Sequence, residues 1–566
     1  MKRHTIIEGK NVACECETSF DLTCDVLVIG LGTAGAIAAI AAGKRGHRVI
    51  GVDLAPLPGG VGTAGCVWDY YYGARGGLYD EVNSVADELV STGHYLNSTV
   101  QGYKKSYPTT VKALALEKKL DEAGAKCFYS ALVTDVFTDG DDVVGAAFAG
   151  DGKSFTVGAK IVIDGAEGEV FRLLGVRNLG GRRSDNKTAR FSRTVGMMSG
   201  ESGSRQIHGV WRFCEQFSGL DAFDSARMTY KWTAAEPGLC EKFSERNRLY
   251  SLGCETAKRE VFCCETEKVY DFREYLDRNC PDDVIFYTFS PLDNSNPDFW
   301  DEDVEFQDWQ GLCDMHAYGY TTGVTPGMLI PKGVGSMLLA GKHIGTGHTM
   351  SAGVRMRTDM EKCGEAAGVM ASLALEKRVE PRELDYLDIR NELSETKCYD
   401  KTNDRGICDL NWCDGDMWKS VELPKTADEL KPILASIHPA PGLISVRRGE
   451  VKATDELVSW LSEGGLLAEN SAVALGLLGD RRGLPVLRGI LSREPETYTY
   501  ESPHKYFFGW LLTTDLCNFV KAACLVARFD EPEDAELLKK LASYNGDNHK
   551  RQKAAAYAKK TQEKIN

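Results

Sequence analysis

Residues 25–53 read DVLVIGLGTAGAIAAIAAGKRGHRVIGVD. The run VLVI is apolar without a break, as suits a parallel strand covered on both faces. Glycines follow at Gly30, Gly32 and Gly35, with Thr33 and Ala34 between them, giving G-x-G-x-x-G. In that pattern the first glycine permits a tight turn and the second lets backbone N–H groups approach a pyrophosphate. The third lets the helix pack closely on the strand. Small residues then build a helix that can lie flat on a sheet, and its N-terminus favours negative charge. HRVIGVD is the second strand. It ends in Asp53, placed to accept hydrogen bonds from a ribose diol. Strand, helix and acidic residue together turn a weak glycine pattern into a dinucleotide site. The bland alternative is a glycine-rich turn that holds no ligand.

The glycine pattern alone does not separate NAD from FAD, but the segment after Asp53 does. A nicotinamide-binding unit continues soon into another strand and helix, whereas residues 54–77 read LAPLPGGVGTAGCVWDYYYGARGG. Here the sequence resembles the FAD-dependent oxidoreductases of the glutathione-reductase-like fold. In that family a GG-x-x-T-A-G segment runs along FAD toward the flavin ring, and Gly59, Gly60, Thr63, Ala64 and Gly65 match it. Residues 109–124 then read as an amphipathic helix. Short strands with turn signals at Asp139-Gly140 and Asp151-Gly152 come next. The resemblance implies that Val133 sits where the chain passes the adenine. It also implies that Asp164 is the first residue of the family's D-A-T-G-D, although this chain reads DGAEGE and lacks the threonine. A third landmark, LIPKGVGSMLLAGKHIGTGHTMSAGVRMRTD from residue 329, resembles the family's closing FAD segment through Ala340, Gly341, His348, Gly353 and Arg355. A helix over about 354–376 is implied to aim its N-terminus at the flavin C2 carbonyl. The resemblance spans roughly residues 24–380.

A flavin carries the chemistry, and the protein positions and tunes it. One dinucleotide fingerprint leaves no separate NAD(P)H domain. Cys66 has no second cysteine a few residues away, which argues against disulfide reduction. Hydride exchange between flavin N5 and a small organic substrate remains, and it needs a base. His348 is the first candidate, because histidine titrates near neutrality. Arg355 would hold the flavin or a substrate oxygen, and His343 reads as structural. Trp68, Tyr70, Tyr71 and Tyr72 offer flat rings and hydroxyls suited to a sugar or an aromatic ring. Arg75 adds a cation for a carboxylate or phosphate. Packing beneath the flavin domain is the equal alternative for these aromatics. Trp300, Trp309 and His316 are weaker substrate-side candidates. Three functions stay open: a dehydrogenase acting on a sugar or derivative, a flavin-dependent C=C reductase, and a flavin-bearing assembly protein.

The expected fold class is α/β, with a discontinuous FAD-binding Rossmann domain of the glutathione-reductase type (1–195 and 326–380). An interleaved α+β substrate domain (196–325), a linker (381–424) and an all-α C-terminal domain (425–566) complete it. In the last, Ala472 and Ala522, and Asp480 and Asp530, correspond in two HEAT-like copies that would stack on the body or on another subunit. The net charge of −15 disfavours nucleic acid and anionic lipid as partners. No apolar run approaches membrane-span length, and the N-terminus lacks an apolar leader, so a cytoplasmic protein is expected. The eighteen cysteines include no C-x-x-C, and no metal site is expected. The electron donor or acceptor is left open.

Overall fold

A computed structural model describes residues 1–101, 104–182, 188–190, 193–199, 207–213, 217–220, 247–255, 257–272, 281–291, 304–315, 318–409, 419–495 and 517–563. The chain divides into two compact units. One comprises Met1–Ser290, Thr321–Asp404 and Trp412–Gly415; the other comprises Pro291–Tyr320, Arg405–Asn411 and Asp416–Asn566.

The first unit is built on five parallel strands, β1 (Val26–Ile29), β2 (Val49–Val52), β3 (Lys126–Phe128), β4 (Ile161–Asp164) and β5 (Met337–Leu339). Their spatial order is β5-β4-β1-β2-β3. Every residue of β1, β2, β4 and β5 is buried, which accounts for their apolar sequences, with Asp164 at the end of β4 the one charged residue. Among the helices of this unit are α1 (Gly35–Lys44), α2 (Leu78–Ser91), α3 (Thr109–Glu122), α4 (His348–Val354) and α5 (Arg357–Lys377). α1 and α5 approach each other through small residues. A Cβ on Gly364 would lie 2.0 Å from the Ala34 carbonyl oxygen, and one on Gly368 would lie 2.5 Å from that of Ala38.

A second, six-stranded sheet holds the expected meander, Leu132–Asp139, Asp142–Gly150 and Lys153–Gly158. The chain start, which carries no motif, joins it. Lys2–Ile7 pairs with Leu132–Asp139 and, through a hairpin, with Lys10–Glu15. Glu8 and Gly9 both have positive φ, 50° and 76°, as a two-residue primed turn requires.

The helix expected over 354–376 differs from the one observed. It begins at Arg357, because Met356 is extended and resets the chain, and a separate turn of helix, α4, precedes it.

Among the described residues the second unit includes eight helices from Ala427–Leu434 to His549–Glu563. Two neighbouring pairs, Gly465–Leu477 with Leu484–Leu491 and Asn518–Phe529 with Ala535–Ala542, share a tight link. Asp480 and Asp530 play different parts in those links. Asp480 caps the next short turn by accepting the Arg482 N–H, after a left-handed Gly479. Asp530 is itself the left-handed residue. Among the described residues no helix is long and apolar enough to cross a membrane.

Candidate functional site

A groove opens at the carboxyl ends of β1, β2, β4 and β5, where ligands lie in open α/β sheets. It brings together Gly30, Gly32, Thr33 and Ala34 after β1, Asp53 after β2, and Gly60 of the following loop. Val133, Gly165 and Gly341 line it as well. These residues span more than 300 positions of sequence.

Each glycine of the first loop has its own steric reason. Gly30 has φ +88°, and a Cβ there would meet Ala166 N and Gly165 at 2.5 Å. A Cβ on Gly35 would lie 1.8 Å from the Gly30 oxygen. Gly32 is different, since its Cβ would find no protein atom nearer than 4.0 Å and would project into the groove. That is the bare backbone a pyrophosphate needs. The two loops are tied together, with Gly59 N–H donating to Leu31 O at 2.8 Å and Thr33 Oγ1 donating to Gly59 O at 3.2 Å. Asp53 accepts Leu31 N–H at 2.5 Å through Oδ2 and Ala55 N–H at 2.7 Å through Oδ1. Burial pushes its carboxyl up to about 6, against the two amide donors that favour its charged form.

Other expected cofactor residues are not among those that line the groove. Thr63 closes its own loop through Pro58 O at 2.6 Å. Gly65 N–H bonds Gly60 O, and Ala64 O accepts Cys254 N–H. Asp164 is fully buried; its side chain accepts Ala166 N–H at 2.9 Å and so shapes the turn that lines the groove. His343 is equally buried and bonds the Asp164 carbonyl oxygen at 3.1 Å. Gly353 lies buried in α4, where its carbonyl accepts from Thr288 Oγ1, and Arg355 comes directly after that helix.

A charged wall of the groove has no counterpart among the sequence motifs. Glu167, Glu255, Lys258 and Lys342 form it. Glu167 receives Lys342 at 2.9 Å and Lys258 at 3.1 Å. Burial would raise Glu167, but the two lysines hold it well below the carboxylate range. Burial and Glu167 push Glu255 up to about 7. Glu167 falls within DGAEGE, the departure from D-A-T-G-D, so the unusual residue is the signal that could have found it.

The aromatic segment lies apart from the groove lining. Trp68, Tyr70 and Tyr72 are buried, and Tyr71 and Arg75 are half-buried. The Trp68 indole donates to Cys66 Sγ at 3.0 Å. The whole stretch is strapped across α5 by side chains of that helix. Asp359 accepts Ala74 N–H at 2.8 Å and Glu365 accepts Leu78 N–H at 2.6 Å. Glu361 accepts the Tyr70 hydroxyl at 2.6 Å. Its glycines serve the close approach. Gly73 (φ +105°) and Gly77 (φ +74°) would place a Cβ 2.5 Å from Thr358 and 2.3 Å from Glu365. Trp309 is buried in the second unit among Arg447 and Arg448, while Trp300 and His316 lie outside the described residues.

His348 opens α4, and its Nδ1 meets the buried Glu260 carboxylate, a partner the sequence does not suggest. The chain around Glu260 runs beside the closing segment. Cys264 N–H bonds His343 O at 2.8 Å, and Lys342 Nζ bonds Lys258 O at 2.6 Å. Among the described residues no group of three histidines, cysteines or acids could hold a metal.

The sequence matches the family described as FAD dependent oxidoreductase over residues 25–277 and 245–393, so the chain belongs to that family and its cofactor is FAD. No curated protein matches it. Among solved structures, a geranylgeranyl bacteriochlorophyll reductase-like protein of Thermoplasma acidophilum is 14% identical. The match covers 80% of this chain and 96% of that one, with a TM-score of 0.33. The p-nitrophenol 4-monooxygenase PnpA of Pseudomonas putida is 13% identical over 66% of this chain and 86% of its own, with a TM-score of 0.36. The anhydrotetracycline hydroxylase OxyS of Streptomyces rimosus is 11% identical over 80% and 76%, with a TM-score of 0.33.

Proposed function

We propose that the protein is a dehydrogenase of a small organic substrate, with a sugar or sugar derivative as the first class to test. Bound in the groove, FAD would supply a hydride acceptor at N5. The bare Gly32 backbone and the N-terminus of α1 would hold the pyrophosphate, and Asp53 would hold the ribose. His348 would take the substrate's proton. The observation that carries this role is its contact with the buried Glu260 carboxylate, which orients the imidazole. Lys258 and Lys342, on the groove wall, precede Glu260 and His348 in the sequence by two and six positions. The doubly wound core supports a glutathione-reductase-like reading of the first unit. The paired helices from 465 to 542 support a HEAT-like reading of the second.

The test is anaerobic reduction of the yellow protein by a panel of sugars and polyols, followed by stopped-flow absorbance. His348→Ala is expected to keep the bound FAD and slow its reduction by about a hundredfold or more. Unchanged reduction would place the base elsewhere, and no bleaching with any sugar or polyol would refute the substrate class.

A further inference from the structure

Behind the Gly60–Gly62 turn runs a chain of charged side chains, buried at Lys112 and Glu361 and half-buried at Arg357. The Arg357 guanidinium, on the first turn of α5, presses against Gly62, where a Cβ would lie 2.1 Å from Nη2. Arg357 Nη2 donates to the Tyr70 hydroxyl at 2.6 Å, and its guanidinium stacks 3.9 Å from that ring's centroid. Its Nη1 donates to Val67 O. The Tyr70 hydroxyl donates to Glu361 at 2.6 Å. Lys112 Nζ reaches the same carboxylate at 3.0 Å, and both side chains are only 2% exposed. Lys112 also donates to Asn83 Oδ1 at 3.0 Å. Its ammonium sits 5.2 and 5.7 Å from the Tyr70 and Tyr79 ring centroids, within cation–π range.

The chain holds two cations and one carboxylate. Among the described residues Arg357 makes no ion pair of its own. Lys112 and Glu361 balance each other, which leaves the half-buried Arg357 guanidinium as the charge that an approaching anion would meet. Gly62 belongs to the turn Gly60–Gly62, and Gly60 and Val61 line the groove, as does Met360 one helical turn beyond Arg357. The Arg357 cation therefore borders the groove at the end the loop and α5 share.

We infer that the Arg357–Tyr70–Glu361–Lys112 chain is the built-in counter-charge for negative charge on the flavin ring, and that the aromatic segment exists to hold it there. This rests on the FAD site and not on the identity of the substrate. Tyr70 is then the clamp that keeps a guanidinium against a glycine loop, not a wall for substrate. Arg357 is a positioning and tuning residue in this scheme, with no proton to give or take.

Sulfite tests it without a substrate, because its addition at flavin N5 leaves the ring anionic. The purified FAD-loaded protein is titrated with sulfite and followed by the loss of its yellow absorbance. Arg357→Met is expected to raise the sulfite dissociation constant by about tenfold or more, equivalent to about 1.4 kcal/mol. Arg357→Lys, which keeps the charge and loses the stacking plane, is expected to stay within about threefold of the parent. Glu361→Gln removes the anion and is expected to tighten the adduct. Should Arg357→Met fail to load FAD, Lys112→Met, one step further from the loop, is expected to weaken it in its place. Equal affinities across these variants, or equal losses in the methionine and lysine forms, would overturn the inference. A parent protein that takes up no FAD would instead refute the cofactor assignment, which separates the two failures.

Discussion

Glu255 faces the groove beside the carboxylates of Glu167 and Asp53, with Lys258 and Lys342 as partial compensation. Burial and Glu167 raise it to about 7, from an ordinary value of 4.5. A raised carboxyl binds its proton more tightly folded than unfolded. Its contribution is therefore complete at low pH and is lost as pH climbs from about 4.5 through 7. Glu255→Gln removes that loss. The variant is expected to match the parent's melting temperature near pH 4 and exceed it at pH 8, with at most about 3 kcal/mol at stake. Thermal unfolding of the two proteins across that range checks it, and a gap that shrinks with rising pH would contradict the assignment. Asp53, raised to about 6 by burial, acts in the same direction at a lower pH.

Among the elements, the first glycine loop allows two substitutions with opposite signatures. Gly32→Ala points its methyl into open groove, so the apoprotein is expected to melt normally while FAD affinity falls by about tenfold or more. Gly35→Ala drives a methyl into the Gly30 carbonyl and is expected to lose both stability and FAD. Calorimetry on apoprotein and flavin fluorescence on titration separate them. This loop was legible in the sequence because its information is local, with strand, glycines, helix and Asp53 all within thirty residues. The strap over α5 was not. Ala74 finds its acceptor Asp359 at a separation of 285 positions, and Tyr70 finds Glu361 at 291. In sequence, YYYGARGG shows rings and glycines but not the carboxylates that pin them. TDMEKCGE carries four charged residues, and the fold buries all of them. The Glu260–His348 contact is hidden by a shorter separation of 88, still far beyond any local pattern. The break at Met356 also has no composition signal, since no proline or glycine marks it.

At the scale of the whole chain, the second unit is not simply its C-terminal third. It takes in residues 291–320 from mid-sequence and grips the described part with ion pairs to buried carboxylates. Lys521 meets Asp314 at 2.6 Å with both side chains under 5% exposed, and Arg447 and Arg528 share Asp308 at 2.9 and 2.5 Å. Lys521→Met strands a buried carboxylate and is expected to cost about 3 kcal/mol or more in urea denaturation, with Asp314→Asn recovering part of it. Equal stability of parent and variant would show that the pair is dispensable. The same arrangement sets a schedule for biosynthesis. Asp308 leaves the ribosome 220 residues ahead of Arg528, an interval of roughly ten to forty seconds at ordinary elongation rates. Throughout that interval the mid-chain insert is a nascent segment without its helical host, and chaperone occupancy should be greatest there and end when the last helices emerge.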